Sequence, residues 1–139
     1  MLFANALRSS HCCWWLLLFG SVVLACHAGQ SSHSTHNVTE SDKGSEVALR
    51  VGDILEVRLR SQPGTGYKWY VHPNSSSLLT LIDETQTKPL TSGFDRPVIQ
   101  VFRFGAKRRG SGILLLHYIR PWEGARPDEE TYNVRVSIR

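Results

Sequence analysis

Over the C-terminal two thirds of the chain, hydrophobic and polar residues alternate with a period of two. Leu55, Val57 and Leu59 alternate with charged residues, and residues 132–139 repeat the same design. This alternation is typical of antiparallel strands that bury one face in a core and expose the other to solvent. We predict further strands near residues 46–51, 66–72, 78–84, 98–104 and 112–119.

The segments between these strands carry turn residues, for example Gln62-Pro63-Gly64 and Arg109-Gly110-Ser111-Gly112. No window long enough for a helix shows a helical stripe of apolar residues. We therefore predict an all-β fold, an immunoglobulin-like antiparallel β-sandwich of about seven strands. Trp69, on a predicted strand, is the expected aromatic residue of the core.

The first 28 residues have the pattern of a secretory signal peptide. Arg8 precedes an apolar run at residues 14–25, which is short for a membrane span, and small residues follow up to Ala28. We therefore expect cleavage after Ala28 and entry into the secretory pathway. A retained N-terminal anchor and a lipoprotein signal acylated at Cys26 are the alternatives.

All three cysteines, Cys12, Cys13 and Cys26, lie in this leader. The domain that follows therefore has no disulfide, no thiolate metal site and no cysteine nucleophile. Any chemistry of the folded domain must therefore use side chains other than cysteine.

Residues 29–45 are mostly polar and small, with only Val38 to bury, and we expect them to form a flexible tail. His33 and His36 lie three residues apart in this tail. Because no third ligand lies nearby in the sequence, we do not predict a metal site there.

Two sites fit the acceptor sequence for N-glycosylation, at Asn37 and at Asn74. The motif is short and frequent by chance. The predicted signal peptide gives it weight, because glycosylation of this kind occurs on secreted proteins.

The charge of the chain is mildly basic, with 16 Lys and Arg against 12 Asp and Glu. These charges are spread along the sequence, which weakens a nucleic-acid interpretation. The densest run is Lys107-Arg108-Arg109, just before a glycine turn. We interpret it as a solvated hairpin tip, and a patch for anions or a membrane surface is the alternative.

Catalytic chemistry is not expected from this sequence. Beyond the leader the histidines are His33, His36, His72 and His117, and no acidic pair or Ser-His arrangement accompanies them. The domain is therefore predicted not to be an enzyme and to need no cofactor.

The segment from Gln62 to Trp69 is unusual for a simple turn. Pro63 restricts the backbone where the loop begins, while Gly64 and Gly66 permit a positive φ and leave room for a second backbone to approach. A turn remains the simpler interpretation, but the segment is longer than a tight hairpin needs.

The segment Arg120-Pro121-Trp122 lies outside any predicted strand, so we expect the indole of Trp122 to be at least partly exposed. An exposed Trp beside an Arg is typical of the anchor residues of protein interfaces. The alternative is that Trp122 folds back over the end of a sheet.

Together, the two segments resemble the chagasin-type inhibitors of papain-like cysteine peptidases, over residues 46–139. In that family one loop carries Asn-Pro-Thr-Thr-Gly followed by an aromatic residue, and another carries Arg-Pro-Trp, which is matched here in full. Gln62 replaces the Asn and Gly64 the first Thr. The family's glycine-rich middle loop corresponds to residues 91–97, which contain one glycine.

The resemblance implies a reversible, competitive inhibitor, secreted or held in a vacuolar or lysosome-like compartment, that blocks the peptidase cleft with three loops. The residues implied to contact the peptidase are Pro63, Gly64, Thr65, Gly66, Tyr67, Gly93, Phe94, Arg120, Pro121 and Trp122. The implied partners are cathepsin L-like peptidases. We expect a monomer with no metal, no nucleic-acid partner and no membrane contact after leader removal. A secreted immunoglobulin-like adhesion or ligand-binding module is the alternative.

Overall fold

The computed structural model describes residues 32–88, 96–124 and 126–139, so the predicted signal peptide lies outside the described residues. The described chain contains two short 3₁₀ helices, at Glu40–Asp42 and Pro63–Thr65. Its strands are β1 (Thr35–Thr39), β2 (Glu46–Leu49), β3 (Ile54–Ser61), β4 (Lys68–Val71), β5 (Leu79–Gln86), β6 (Val98–Ala106), β7 (Gly110–Ile119) and β8 (Glu130–Ile138). Within these ranges no helix is long and apolar enough to cross a membrane.

The strands form two four-stranded sheets, with the orders β1-β3-β6-β5 and β2-β8-β7-β4. The alternating residues of β3 and β8 face a shared core, where Leu55, Val57, Leu59, Val134 and Val136 are fully buried. The predicted all-β sandwich is confirmed, and β2 to β8 correspond to the seven predicted strands. Trp69 is buried in this core, as expected.

One strand was not predicted from the sequence. Residues 35–39, assigned to a flexible tail, form β1, which pairs with β3 and buries Val38 opposite Val57. This pairing is parallel, as is that of β2 with β8, so the sheets are mixed rather than purely antiparallel. The expected tail over residues 29–45 is therefore wrong from Thr35 onwards.

A buried glutamine connects the two sheets. The side chain of Gln100 on β6 accepts a hydrogen bond from the backbone N–H of Trp69 (3.0 Å) and donates to its carbonyl (2.9 Å). It also donates to Glu84 on the edge strand β5 (2.8 Å). Because Trp69 lies on β4, the edge of the second sheet, this one side chain holds the edges of both sheets in place.

The strand pairings place the connecting segments at two opposite ends of the sandwich. One end, which we call the loop pole, carries residues 62–67 and 118–124. The other, which we call the turn pole, carries residues 50–53 and the β6–β7 turn at residues 106–110. The two segments singled out by the sequence therefore meet at the same end.

Candidate functional site

The loop at residues 62–66 is closed by its own hydrogen bonds. Pro63 begins the short 3₁₀ helix, where its fixed φ suits the first position. The N–H and hydroxyl of Thr65 both donate to the carbonyl of Gln62, at 3.0 and 2.6 Å. The N–H of Gly66 donates to the carbonyl of Pro63 at 2.9 Å. The loop is thus a compact turn that its own hydrogen bonds hold in place.

Gly66 has the positive φ expected from the sequence, 84°. A Cβ atom added there would lie 2.5 Å from Cη2 and 2.7 Å from Cζ2 of Trp122. The absence of a side chain at Gly66 therefore allows the indole of Trp122 to lie directly on the loop backbone. Gly64, by contrast, is part of the 3₁₀ helix and does not need a positive φ.

Arg120 also joins the two loops. Its Nε donates to the carbonyl of Thr65 at 2.8 Å, and its guanidinium lies over the ring of Tyr67, 4.4 Å from the centroid. Nη1 of the same side chain donates to Glu123 at 2.8 Å. Arg120 thus connects the loop, the aromatic residue after it and its own turn.

The Arg120–Glu123 ion pair changes the titration of both groups. The hydrogen bond to Glu123 raises the pKa of Arg120, and the same bond lowers the pKa of Glu123, which Arg126 also approaches at 3.5 Å. Both groups are therefore charged near neutral pH. The connection between the loops does not depend on pH near neutrality.

A row of aromatic rings connects the 62–66 loop to the core. Tyr67 stacks on Tyr118 (5.3 Å between centroids), and Tyr118 packs against Trp69 (5.0 Å), which meets Tyr132 edge-on. The hydroxyl oxygen of Tyr118 accepts a hydrogen bond from the N–H of Gln62 at 2.9 Å. The loop therefore sits on a rigid platform continuous with the core.

The predicted contact residues fall into two groups. Trp122 is 70% exposed, which confirms the expectation from the sequence, and Pro121 and Gly64 are exposed beside it. The others are partly buried, and the guanidinium of Arg120 lies over the ring of Tyr67; this second group consists of Pro63, Thr65, Gly66, Tyr67 and Arg120. The exposed group is available to a partner, whereas the second group shapes the loops.

Two predicted contact residues, Gly93 and Phe94, lie outside the described residues. The chain leaves β5 at Gln86 and enters β6 at Val98, which pairs with Ser61 next to the 62–66 loop. Both flanks of the 91–97 segment are therefore at the loop pole.

Sequence reasoning missed the roles of Glu123 and of the Tyr118 hydroxyl. Glu123 lies three residues after Arg120, a spacing that suits an ion pair across a turn, and this signal was available in the sequence. The contact of Tyr118 with Gln62, 56 residues away, carries no such local signal.

The histidines within the described part of the chain form no metal site. His117 contacts Glu129 at 3.2 Å and the ring of His72 at 5.0 Å, but no group of three or more metal-binding side chains with the right arrangement occurs in the described ranges. Asn37 and Asn74, the two glycosylation acceptors, are both exposed.

The comparisons with known proteins agree with this architecture. Chagasin from Trypanosoma cruzi is 28% identical over 106 residues, which is 72% of this chain and 94% of chagasin. The crystal structure of a cysteine protease inhibitor from Entamoeba histolytica has a TM-score of 0.67 at 24% identity and covers 78% of this chain and 98% of its own. The structure of PbICP-C in complex with falcipain-2 has a TM-score of 0.52 at 18% identity, covering 78% and 93%.

At these identities the two solved structures establish the shared fold. The family itself is shown by a sequence model, described as the chagasin family peptidase inhibitor I42, which matches residues 48–136. This match covers well over half of the chain and includes both segments that meet at the loop pole. The chain belongs to the chagasin family of peptidase inhibitors.

Proposed function

We propose that this protein is a reversible, competitive inhibitor of papain-like cysteine peptidases, with cathepsin L-like enzymes as its targets. The observation that carries the proposal is the joining of two loops into one surface: Arg120 holds the carbonyl of Thr65, and Trp122 lies on Gly66. The related structure from Entamoeba histolytica is that of a cysteine protease inhibitor, which supports the choice of peptidase class.

The loop at residues 62–66 would enter the active-site cleft and exclude substrate. Gly64 is exposed in this loop and has no side chain, so the backbone can approach the catalytic cysteine closely. Because internal hydrogen bonds already close the turn, little conformational entropy remains to be lost on binding. The proposed inhibition requires no covalent bond and no cofactor.

Trp122 would cover the cleft beside this loop as the main anchor. An exposed indole offers a large apolar surface that is desolvated when a partner covers it. Arg120 is proposed as a positioning residue, since its polar contacts are made within the inhibitor. The 91–97 segment, with Gly93 and Phe94, would supply the third contact.

The test is a titration of papain and a cathepsin L-like peptidase with the purified protein, with trypsin as the control enzyme. We expect stoichiometric, competitive inhibition of the two cysteine peptidases, full recovery of activity after dilution, and no effect on trypsin. Absence of inhibition for a correctly folded protein would instead favour an adhesion or ligand-binding module.

We also propose that residues 1–28 direct the chain into the secretory pathway and are removed there. The apolar run at residues 14–25 and the small residues up to Ala28 support this. Mass spectrometry of protein from its native source should find an N-terminus near Gly29. Recovery of a chain that still begins at Met1 would contradict this proposal.

A further inference from the structure

The turn pole gathers basic residues from three separate parts of the sequence. The basic triplet 107–109 forms the β6–β7 turn, and Arg109 precedes Gly110, which pairs with Ile138 next to Arg139. The N–H of Val51 donates to the carbonyl of Arg139 at 3.1 Å, and the N–H of Gly52 donates to Ala106 at 2.8 Å. These bonds bring Arg50 to the same surface. Its five cations are Arg50, Lys107, Arg108, Arg109 and Arg139, and all are exposed.

This surface, which we call the basic pole, holds the whole excess of positive side-chain charge in the described chain. The described residues contain 15 Lys and Arg and 11 Asp and Glu. Asp53 carries the one acidic side chain at this end within the described residues. When it and the five cations are left out, ten basic and ten acidic side chains remain. The excess positive charge is therefore concentrated at the turn pole, while the rest of the described molecule carries equal numbers of both signs.

The cations of the basic pole are not neutralised by the protein. Among the described residues none of the five forms an ion pair, and Arg108 bonds only to the hydroxyl of Ser77 at 2.9 Å. Asp53 is buried, and its carboxylate accepts hydrogen bonds from the N–H groups of Ser34 (3.0 Å) and Arg50 (2.7 Å). The positive charges therefore face solvent and are available to an external anion.

An apolar side chain lies among these charges. Val51 is 48% exposed at the tip of the turn between β2 and β3, with Arg50 before it and Arg139 bonded to its backbone. A soluble polyanion would gain little from an exposed valine. A bilayer offers both an anionic headgroup layer for the cations and an apolar boundary for the valine.

We propose that the basic pole binds the surface of membranes rich in anionic phospholipid. The sequence alone favoured a solvated hairpin at Lys107-Arg108-Arg109 and no membrane contact after leader removal. The structure changes that interpretation because it adds Arg50 and Arg139 to the triplet and places Val51 among them. The inference does not depend on the proposed peptidase target.

The test is co-sedimentation of the full chain with vesicles of phosphatidylcholine alone or with about 30% phosphatidylserine. We expect binding that depends on phosphatidylserine and weakens steeply with salt. The variant Lys107→Gln/Arg109→Gln/Arg139→Gln should bind about a hundredfold more weakly, because each cation contributes about a factor of five at a charged surface. The matched control is Lys43→Gln/Lys88→Gln/Arg135→Gln, which removes three exposed cations elsewhere and should keep most of the binding.

A second variant separates the lipid from other polyanions. Val51→Gln should weaken vesicle binding about fivefold and leave retention on heparin unchanged, since only the bilayer contacts the valine. If the two triple variants lose vesicle binding equally, binding depends only on the net charge of the protein, and the proposal is overturned. Equal binding to neutral vesicles, or heparin binding without vesicle binding, would also overturn it. Thermal unfolding of each variant checks that it is folded.

Discussion

Trp122 is the residue on which the proposed interface depends most. Its indole is largely exposed and rests on the backbone of Gly66 rather than in the core. The sequence predicted the exposure because a proline precedes the residue outside any strand. The contact of Trp122 with Gly66 could not be predicted in this way, because 56 positions separate the two residues in the sequence. Only the folded sandwich brings them together.

We expect Trp122→Ala to raise the inhibition constant about 30-fold, since truncation of an interface anchor costs about 2 kcal/mol or more. Most of the change should appear as faster dissociation. Thermal unfolding should change little because the side chain is mostly exposed. Stopped-flow kinetics and calorimetry on the same variant provide the measurement. A large fall in melting temperature with inhibition intact would make Trp122 a structural residue instead.

Gly66→Ala tests whether the contact between the loops matters. The added Cβ would overlap the indole of Trp122, and the positive φ would cost about 1 kcal/mol in stability. We expect at least a tenfold rise in the inhibition constant. Gly124→Ala is the matched control, because Gly124 has a similar φ of 75° but a Cβ there would meet nothing within 4 Å.

The two variants should lose similar stability in urea unfolding, while only Gly66→Ala should lose inhibition. If both weaken inhibition equally, backbone strain in the turns, and not the position of Trp122, controls binding. If neither does, the loop at residues 62–66 has no part in the mechanism.

At the level of strands, the sequence was informative wherever one face is buried. The alternation in β3 and β8 specified both strands because every second residue enters the core. β1 gave no such signal, since Val38 is its only fully buried residue and the others are polar. It forms because β3 offers an unpaired edge to a neighbouring extended segment. The pairing of an edge strand is set by its neighbour, not by its own pattern.

The sheet edges β4 and β5 depend on Gln100 in a way that the sequence did not reveal. Gln100→Leu keeps the volume but leaves the N–H and carbonyl of Trp69 without their buried partner. We expect a loss of about 3 kcal/mol in the free energy of unfolding, because each unsatisfied buried group costs 1–3 kcal/mol. Gln86→Leu, at the exposed position paired with Gln100, should change stability by less than about 0.5 kcal/mol.

Chemical denaturation of the two variants in urea gives both values. Similar small effects would show that Trp69 finds other partners and that the bridge contributes little. A large effect from Gln86→Leu would place the sensitivity at the exposed face of the β5–β6 pair instead.

The turn from Arg50 to Asp53 predicts a specific pH dependence. Hydrogen bonds from the N–H groups of Arg50 and Ser34 lower the pKa of Asp53 below its ordinary value of 3.8. A carboxyl whose pKa is lower in the folded state stabilises the protein above its unfolded pKa and loses this effect as the pH falls through the folded pKa. We expect the wild type to lose stability below about pH 4.

Asp53→Asn should lower the melting temperature near neutrality and unfold with a flatter pH dependence below pH 4 than the wild type. Melting temperatures of both proteins between about pH 7 and 2 provide the comparison. Parallel curves for the two proteins would show that other carboxyl groups cause the acid sensitivity.

In the whole molecule, the two proposed surfaces lie at opposite ends of one rigid sandwich. The strands that carry residues 62–67 and 120–122 at the loop pole run through the core and end near the basic pole. A molecule attached to a membrane by the basic pole would therefore direct Trp122 and the 62–66 loop away from the lipid. The two binding events involve different residues and should not compete.

This separation predicts that the inhibition constant for a soluble cathepsin L-like peptidase is the same, within about twofold, with and without saturating phosphatidylserine vesicles. Trp122→Ala should weaken inhibition and leave vesicle binding unchanged. The triple variant of the basic pole should weaken vesicle binding and leave inhibition unchanged. The measurement is peptidase activity in vesicle suspensions, with neutral vesicles as the control. Inhibition that weakens as vesicle binding saturates would show that the lipid covers the loops. The membrane would then contact the side of the sandwich or the loop pole, and not the surface around Val51.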